Sequence, residues 1–502
     1  MDKQLFKRSA GILLPVASLP SPYGIGSFGK AARDWVDFLS EAGQSFWQIL
    51  PLVPAGYGNS PYKSQSAFAG YPSLIDLDVL REEGLIEEKD CKDVNWDHTK
   101  KRVDYEKVDS HREKALRKAY ERFHDHTPLD DFVKNNFWAE DYGMYMAIKA
   151  SQGGREWMDW DKPLRTRKPK ALAEVKNRLS EEIRYYIFVQ YIFAGQWKAL
   201  RTYANSKGVE IIGDIPIYVA LDSADVWSNQ KLFRLDKNSL PPEVSGCPPD
   251  SFTEDGQLWG NPLYDWGYIA KTGFKWWNER LRHSFGLYDV VRIDHFRGFE
   301  GYYSIPYGAE TAKEGKWKPG PGKAFIDAVK KALPGKRIIA EDLGVRTEGV
   351  VELVDYSGFP NMKLLQFAFD SRAGKDKDDL PLSYKRNTVV YPGTHDNDTL
   401  TGWCETAPYP AVKKAMAYTG VKRPADLPPE MIRLAYECDS ILAVIPMQDW
   451  LGLGSEARLN TPGSIGGSNW RWRLEERAAG DRLAASIYEM TSLYGRTKAV
   501  KA

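Results

Sequence analysis

Short runs of aliphatic and β-branched residues recur along the chain, and most of them end on an acidic residue. Eight stand out, at residues 11–16, 45–50, 209–219, 288–294, 337–342, 363–370, 388–396 and 441–449. Runs of this length that lack strict alternation read as strands covered on both faces, as a parallel sheet requires. The segments between them carry helical spacing. Residues 30–43 close on Gly43, residues 276–283 keep an apolar stripe, and residues 321–335 stop at Pro334-Gly335, a usual helix end. Strand followed by helix, with eight strands in all, predicts an α/β fold of the (β/α)8 TIM-barrel type, with residues 1–502 forming one catalytic barrel.

Two connections are longer than a crossover needs. Residues 54–208 predict a large, mainly helical insertion between the second and third strands. Within it, residues 111–126 and 171–208 set charged faces against apolar ones, as helices packed on a barrel do. Residues 220–268, rich in Pro, Gly, Asp and aromatics (PPEVSGCPPDSFTEDGQLWGNPLYDW), predict an irregular lid loop facing substrate.

Composition narrows the partners. Sixty-nine Lys+Arg against 68 Asp+Glu leave a net charge of +1, which argues against nucleic acid or an acidic membrane as the partner. The apolar run GILLPV is too short and too close to proline to be a signal or a span. Four scattered cysteines fit neither a disulfide framework nor a zinc site, so a cytoplasmic setting is expected. Seventeen tryptophans serve core packing first, but as a population they suit a partner with flat apolar faces, such as a sugar.

Candidate chemistry lies at the strand ends. In a barrel the C-terminal strand ends converge on one mouth; here they carry Asp214, Asp294, Glu341 with Asp342, Asp370, His395 with Asp396, and Asp449. Each aspartate could instead cap the helix that follows. Capping does not explain the company kept by three of them. Arg292 lies two residues from Asp294, on the same side of a strand, where its charge favours the ionised, nucleophilic form. Glu341 leaves an apolar strand, a setting that raises a carboxyl toward the range of a general acid. Asp396 follows His395 and adds a third carboxylate. One carboxyl to attack and another to protonate is the requirement of retaining glycoside chemistry.

Arg-x-Asp in the fourth run, Glu ending the fifth and His-Asp ending the seventh resemble the catalytic regions of the α-amylase superfamily, in their usual order. NSPYKSQSAFAGYPSLIDL (residues 59–77), GDIPIYVALDSADVW, CPPDSFTEDGQLWGNPLYDW, VRIDHFRGFEGYYSIP, IIAEDLG, YPGTHDNDT and ARLNTPG are similar to segments of the 4-α-glucanotransferases called amylomaltases or disproportionating enzymes. The resemblance spans about residues 10–475. It implies transfer of α-1,4-glucan segments to glucose or a maltooligosaccharide, no metal or organic cofactor, no C-terminal β-sandwich, and a monomer or weak homodimer. It also implies Asp294 as nucleophile, Glu341 as acid/base and Asp396 as transition-state stabiliser. Tyr62, Asp214, Arg292, Asp370 and His395 match positions around the cleaved glucose. Asp250, Gln257 and Trp259 match the lid on the acceptor side, and Asn469 a further acceptor contact. Cys247 departs from the family pattern, and its thiol is expected to pack as a small hydrophobe.

Other readings differ in testable ways. A retaining α-glucan hydrolase shares the same carboxylates and differs only in admitting water. A non-catalytic glycan-binding barrel would lack at least one of the three. A nucleotide-dependent transferase would need a phosphate loop, and Gly24, Gly26 and Gly29 match one weakly, but Leu50-Pro51 stand where an acidic ribose partner belongs.

Overall fold

The computed structural model describes residues 6–91, 94–97, 99–249, 254–344, 346–370 and 380–497. Its strands are β1 (Ser9–Leu13), β2 (Phe46–Gln48), β3 (Glu210–Pro216), β4 (Glu243–Cys247), β5 (Gln257–Pro262), β6 (Val290–Asp294), β7 (Gly301–Pro306), β8 (Lys316–Pro319), β9 (Arg337–Ala340), β10 (Asn361–Leu364), β11 (Thr388–Tyr391) and β12 (Leu442–Pro446). Eight of these close a parallel barrel in the order β1-β12-β11-β10-β9-β6-β3-β2. These are the eight strands expected from the hydrophobic runs.

Several boundaries move, for local reasons. β1 ends before Pro15, whose ring sets the extended entry to a short 3-10 turn at Val16–Ser18. The run 363–370 is a strand only at its start: Leu365–Phe369 is helical, with Leu365, Ala368 and Phe369 buried. An apolar run buried all round carries no period that tells strand from helix. Asp370 therefore follows a helix and does not end a strand. Likewise Asp449 lies in the helix Met447–Trp450, where it accepts the Leu400 N–H at 2.7 Å. It is a structural acceptor, not a mouth residue.

Between β2 and β3 the longer elements are helices: Tyr105–Arg122, Thr127–Asn135, Ala139–Ser151, Pro169–Arg178 and Ser180–Ser206. The last of these ties the preceding chain to the barrel wall through two amide clamps. Gln190 accepts from Gly70 N–H (2.6 Å) and donates to Gly70 C=O (3.0 Å), and Gln196 does the same for Asp76 (2.7 and 3.1 Å). Each clamp replaces the ladder bonds that an irregular segment lacks. Together they hold down the segment just after Tyr62.

The region after β3 is more regular than its composition suggests. β4 and β5 join β7 and β8, from the connection after β6, in an antiparallel sheet of order β5-β4-β7-β8. The expected lid is thus half of a sheet drawn from two connections, with Val244, Tyr303, Ile305 and Ala312 as its own small core. Among the described residues no strand follows β12. The helix Asp481–Leu493 does, and beyond it the buried Arg496 donates to Ser9, Tyr436 and Ser440 carbonyls, closing the chain end onto β1.

Candidate active site

The site starts from two adjacent barrel strands. Asp214 on β3 lies opposite Arg292 on β6, and both side chains are buried. Arg292 Nη1 donates to Asp214 Oδ2 at 2.6 Å, Nη2 pairs with Asp294 Oδ1 at 3.0 Å, and Nε meets Met362 Sδ at 3.4 Å. Tyr62 O–H donates to the same Asp214 oxygen at 2.8 Å. Asp214, 1 % exposed, therefore gives one oxygen to both Arg292 and Tyr62, while its Oδ1 is buried without a protein partner. Its role is to fix the guanidinium that faces Asp294.

Arg292 acts on Asp294 with the expected sign, but burial is larger. Burial pushes Asp294 up to about 6, with Arg292 opposing and Asp214 adding to the rise. At neutral pH the group is still mainly the carboxylate. Glu341, one residue past β9, is pushed up further, to about 8, by burial and by the charge of Asp294. Its two oxygens accept backbone N–H groups from His295 and Leu343, each at 2.7 Å. The first of these bonds depends on a local irregularity. His295 sits in the left-handed region (φ 52°, ψ 46°), which a non-glycine residue adopts rarely. Its imidazole, half-buried and with a buried Nε2 lacking a protein partner, lines the cavity and is held down to about 3 by desolvation, hence neutral. The edge of Trp259 packs on it at 4.8 Å between ring centroids, and Trp259 Nε1–H donates to Gln257 Oε1 at 3.1 Å.

Asp396 lies in the loop beyond β11. Burial disfavours its charge, yet His395 (Nε2–Oδ2 3.3 Å) and the Asn460 amide (Nδ2–Oδ1 2.6 Å) outweigh it, so the group falls to about 2. Arg458 donates to the Asp396 carbonyl at 2.7 Å. Tyr62 stacks flat on His395, with centroids 5.3 Å apart and planes 13° apart, and its oxygen lies 2.9 Å from His395 Nε2.

Asp294, Glu341 and Asp396 thus open on one cavity of about 490 Å³, together with Tyr62, Arg292 and His395. Gln257, Trp259 and Cys247 line it too. Three described residues expected at the site are not among its lining: Asp214, which lies behind Arg292, and also Asp370 and Asn469. Asp370 follows the helix Leu365–Phe369, and Leu364 and Phe367 reach the cavity from that region instead. Asn469 braces a loop, accepting from Thr461 N–H (3.1 Å) and donating to Ser464 (3.0 Å to Oγ); the loop it braces supplies Pro462, Gly463 and Ile465 to the wall. Asp250 lies outside the described residues.

Asn460 and His295 matter here and carry no role in the sequence alone. Asn460 stands inside the quoted ARLNTPG, nine residues before Asn469, but its partner is 64 residues away. His295 directly follows the nucleophile candidate; what matters is its left-handed backbone, which residue type does not announce.

A family model described as 4-alpha-glucanotransferase (Glyco_hydro_77) matches residues 14–478. The chain belongs to this 4-alpha-glucanotransferase family. Membership carries its activity: the protein is a glycosyltransferase of the 4-alpha-glucanotransferase type. The 4-alpha-glucanotransferase of Clostridium butyricum is 45 % identical over 486 residues, which cover 96 % of this chain and 99 % of the relative. That of Streptococcus pneumoniae serotype 4 is 45 % identical over 496 residues, 98 % of both chains. The amylomaltase of Streptococcus agalactiae, solved in complex with acarbose, superposes with a TM-score of 0.94 at 39 % identity, covering 98 % of this chain and all of that one. Among the described residues no helix is long and apolar enough to cross a membrane.

Proposed function

We propose that this 4-alpha-glucanotransferase moves segments of α-1,4-glucans to glucose or maltooligosaccharides by two displacements at one anomeric carbon. The observation that carries the reading is the spread of proton states in one cavity: Glu341 near 8, Asp294 near 6 and Asp396 near 2. Groups pushed apart in this way divide acid and nucleophile roles between them. In the first step an Asp294 oxygen attacks C1, the C1–O4 bond breaks, and Glu341 gives its proton to the departing O4. A glucosyl ester of Asp294 remains, and the leaving glucan carries a free 4-hydroxyl. In the second step the Glu341 carboxylate takes the proton of an acceptor 4-hydroxyl, whose oxygen attacks C1 and releases Asp294. Two inversions give net retention. Asp396, ionised throughout, faces the positive charge that develops on the ring, and Arg292, a permanent guanidinium cation, favours the charged form of Asp294 without transferring a proton.

A hydrolase would differ only in the second step, where water replaces the sugar hydroxyl. The Gln257–Trp259 wall beside His295 supports transfer, since it forms an apolar and hydrogen-bonding flank on the Glu341 side of the bond. Amylomaltase of S. agalactiae takes acarbose, which supports an α-glucan-like occupant here.

Incubation with maltotriose tests both halves. Transfer yields glucose together with maltooligosaccharides longer than the donor; glucose and maltose alone would mean hydrolysis. Mass spectrometry after reaction with an activated glucosyl fluoride is expected to find the adduct on the Asp294 peptide and none in Asp294→Asn. An adduct that survives in the variant overturns the nucleophile.

A further inference from the structure

Of the seventeen tryptophans in the sequence, all lying among the described residues, only Trp317 is more than a third exposed, at 41 %. It lines the active-site cavity. Of the others thirteen are buried and three, Trp259, Trp266 and Trp450, half-buried; an indole left in water beside a reaction cavity leaves tens of Å² of apolar surface unpaired. The ring is also held in place. The Arg297 guanidinium lies 3.8 Å from its centroid and the Tyr303 ring meets it at 5.2 Å and 64°. Such backing fixes the indole plane before any ligand arrives, so little side-chain entropy is lost on binding.

Its place in the sheet sets the direction. Across the sheet Leu258 faces Gly246, Gly246 faces Tyr303 and Tyr303 faces Trp317. Opposed residues of an antiparallel ladder project to the same side. Three inter-strand spacings of about 4.8 Å separate the ends of this row, roughly 14 Å in all, longer than one sugar ring. Leu258, at the other end of the row, is 40 % exposed and lines the same cavity. Glu341 accepts the His295 N–H, and Arg297, two residues further on, stacks on Trp317 and so ties β8 to the Glu341 flank. The opposite flank, at Asn460 and Ile465, adjoins Asp396 instead. The row thus stands on the side of the bond that Glu341 protonates.

We propose that Trp317 is a stacking platform for a glucosyl unit of the acceptor, one or more rings beyond the bond being made, and that it sets the preference for maltooligosaccharide over glucose as acceptor. The proposal rests on the transfer reading above. In an acceptor series from glucose to maltotetraose, Trp317→Ala raises the KM for maltotetraose about fivefold to tenfold. kcat with that acceptor and the KM for glucose stay within about twofold, and Trp317→Phe recovers most of the loss. Equal changes for glucose and maltotetraose, or no change for either, overturn it. Calorimetric titration of maltotetraose into Asp294→Asn with and without Trp317→Ala, where no glucosyl ester can form, needs no turnover and so separates this proposal from the transfer reading. A several-fold loss of affinity supports the platform even if maltotriose yields only hydrolysis products, and equal affinity overturns it even if transfer is found. The melting temperature checks that the variant is folded, and Trp317→Phe keeps the ring if the alanine variant is not.

Discussion

At the scale of the residue, Glu341 shows how much of the chemistry comes from surroundings. Its side chain is an ordinary carboxyl; burial and Asp294 move it to about 8, while the two N–H groups aimed at it pull the other way. The first half-reaction proposed above needs Asp294 ionised and Glu341 protonated. Its rate should therefore rise as pH passes about 6 and fall as pH passes about 8. Glu341→Gln is expected to abolish the alkaline limb and to slow unactivated glucans by about 10²–10⁴-fold, while formation of the glucosyl adduct from the fluoride, whose leaving group needs no proton, is far less affected. Equal losses on both donors would remove the acid role. The same shift links to stability. A carboxyl raised in the folded state binds its proton more tightly there than in the unfolded chain, so its favourable contribution is complete below the usual carboxyl range and is lost as pH rises through about 8. The melting temperature of Glu341→Gln relative to wild type should accordingly climb between pH 5 and pH 8, as differential scanning fluorimetry can follow.

At the scale of the element, barrel strands were legible because buried parallel strands are short apolar runs bounded by polar ends. Lys363–Asp370 and Ile441–Asp449 show the limit, since the run continues into a helix in both and only packing ends the strand. The β4, β5, β7 and β8 sheet was not legible at all. Its strands are short, interrupted by Gly and Pro, and paired across two separate connections, so no local pattern reports them. Strand β3 offers a sharp test of packing. A Cβ on Gly213 would lie 2.1 Å from the buried Tyr288 ring. Gly213→Ala must push β3 or the ring aside, at a cost of about 1–3 kcal/mol. The expected outcome is a lower melting temperature together with a lower kcat, because Asp214, the partner of Arg292, is the next residue. An alanine variant as stable and active as wild type would mean the strand has slack there.

At the scale of the whole molecule, a chain of net charge +1 acting on neutral sugar has no long-range field to exploit. kcat/KM is expected to change by less than about twofold between 0.05 and 0.5 M NaCl. Among the described residues no cluster of His, Cys, Asp and Glu could hold a metal ion, and dialysis against a chelator should leave the rate intact; a loss restored by a divalent cation would refute this. What the amino-acid order determined by itself is the barrel, the order of the three carboxylates along it and the family, because short apolar runs with polar ends and motif spacing are local properties of the chain. Only the tertiary structure decided which of the acidic strand ends share a cavity, that Asp214 and Asp449 serve other groups, that Asn460 hydrogen-bonds Asp396, and that one tryptophan stands exposed at the mouth. The physical reason is the same each time. Burial, field and hydrogen bonding at a point sum over groups remote in sequence, as where Tyr62, Asp214, Arg292 and His395 meet, and no window of the sequence contains that sum.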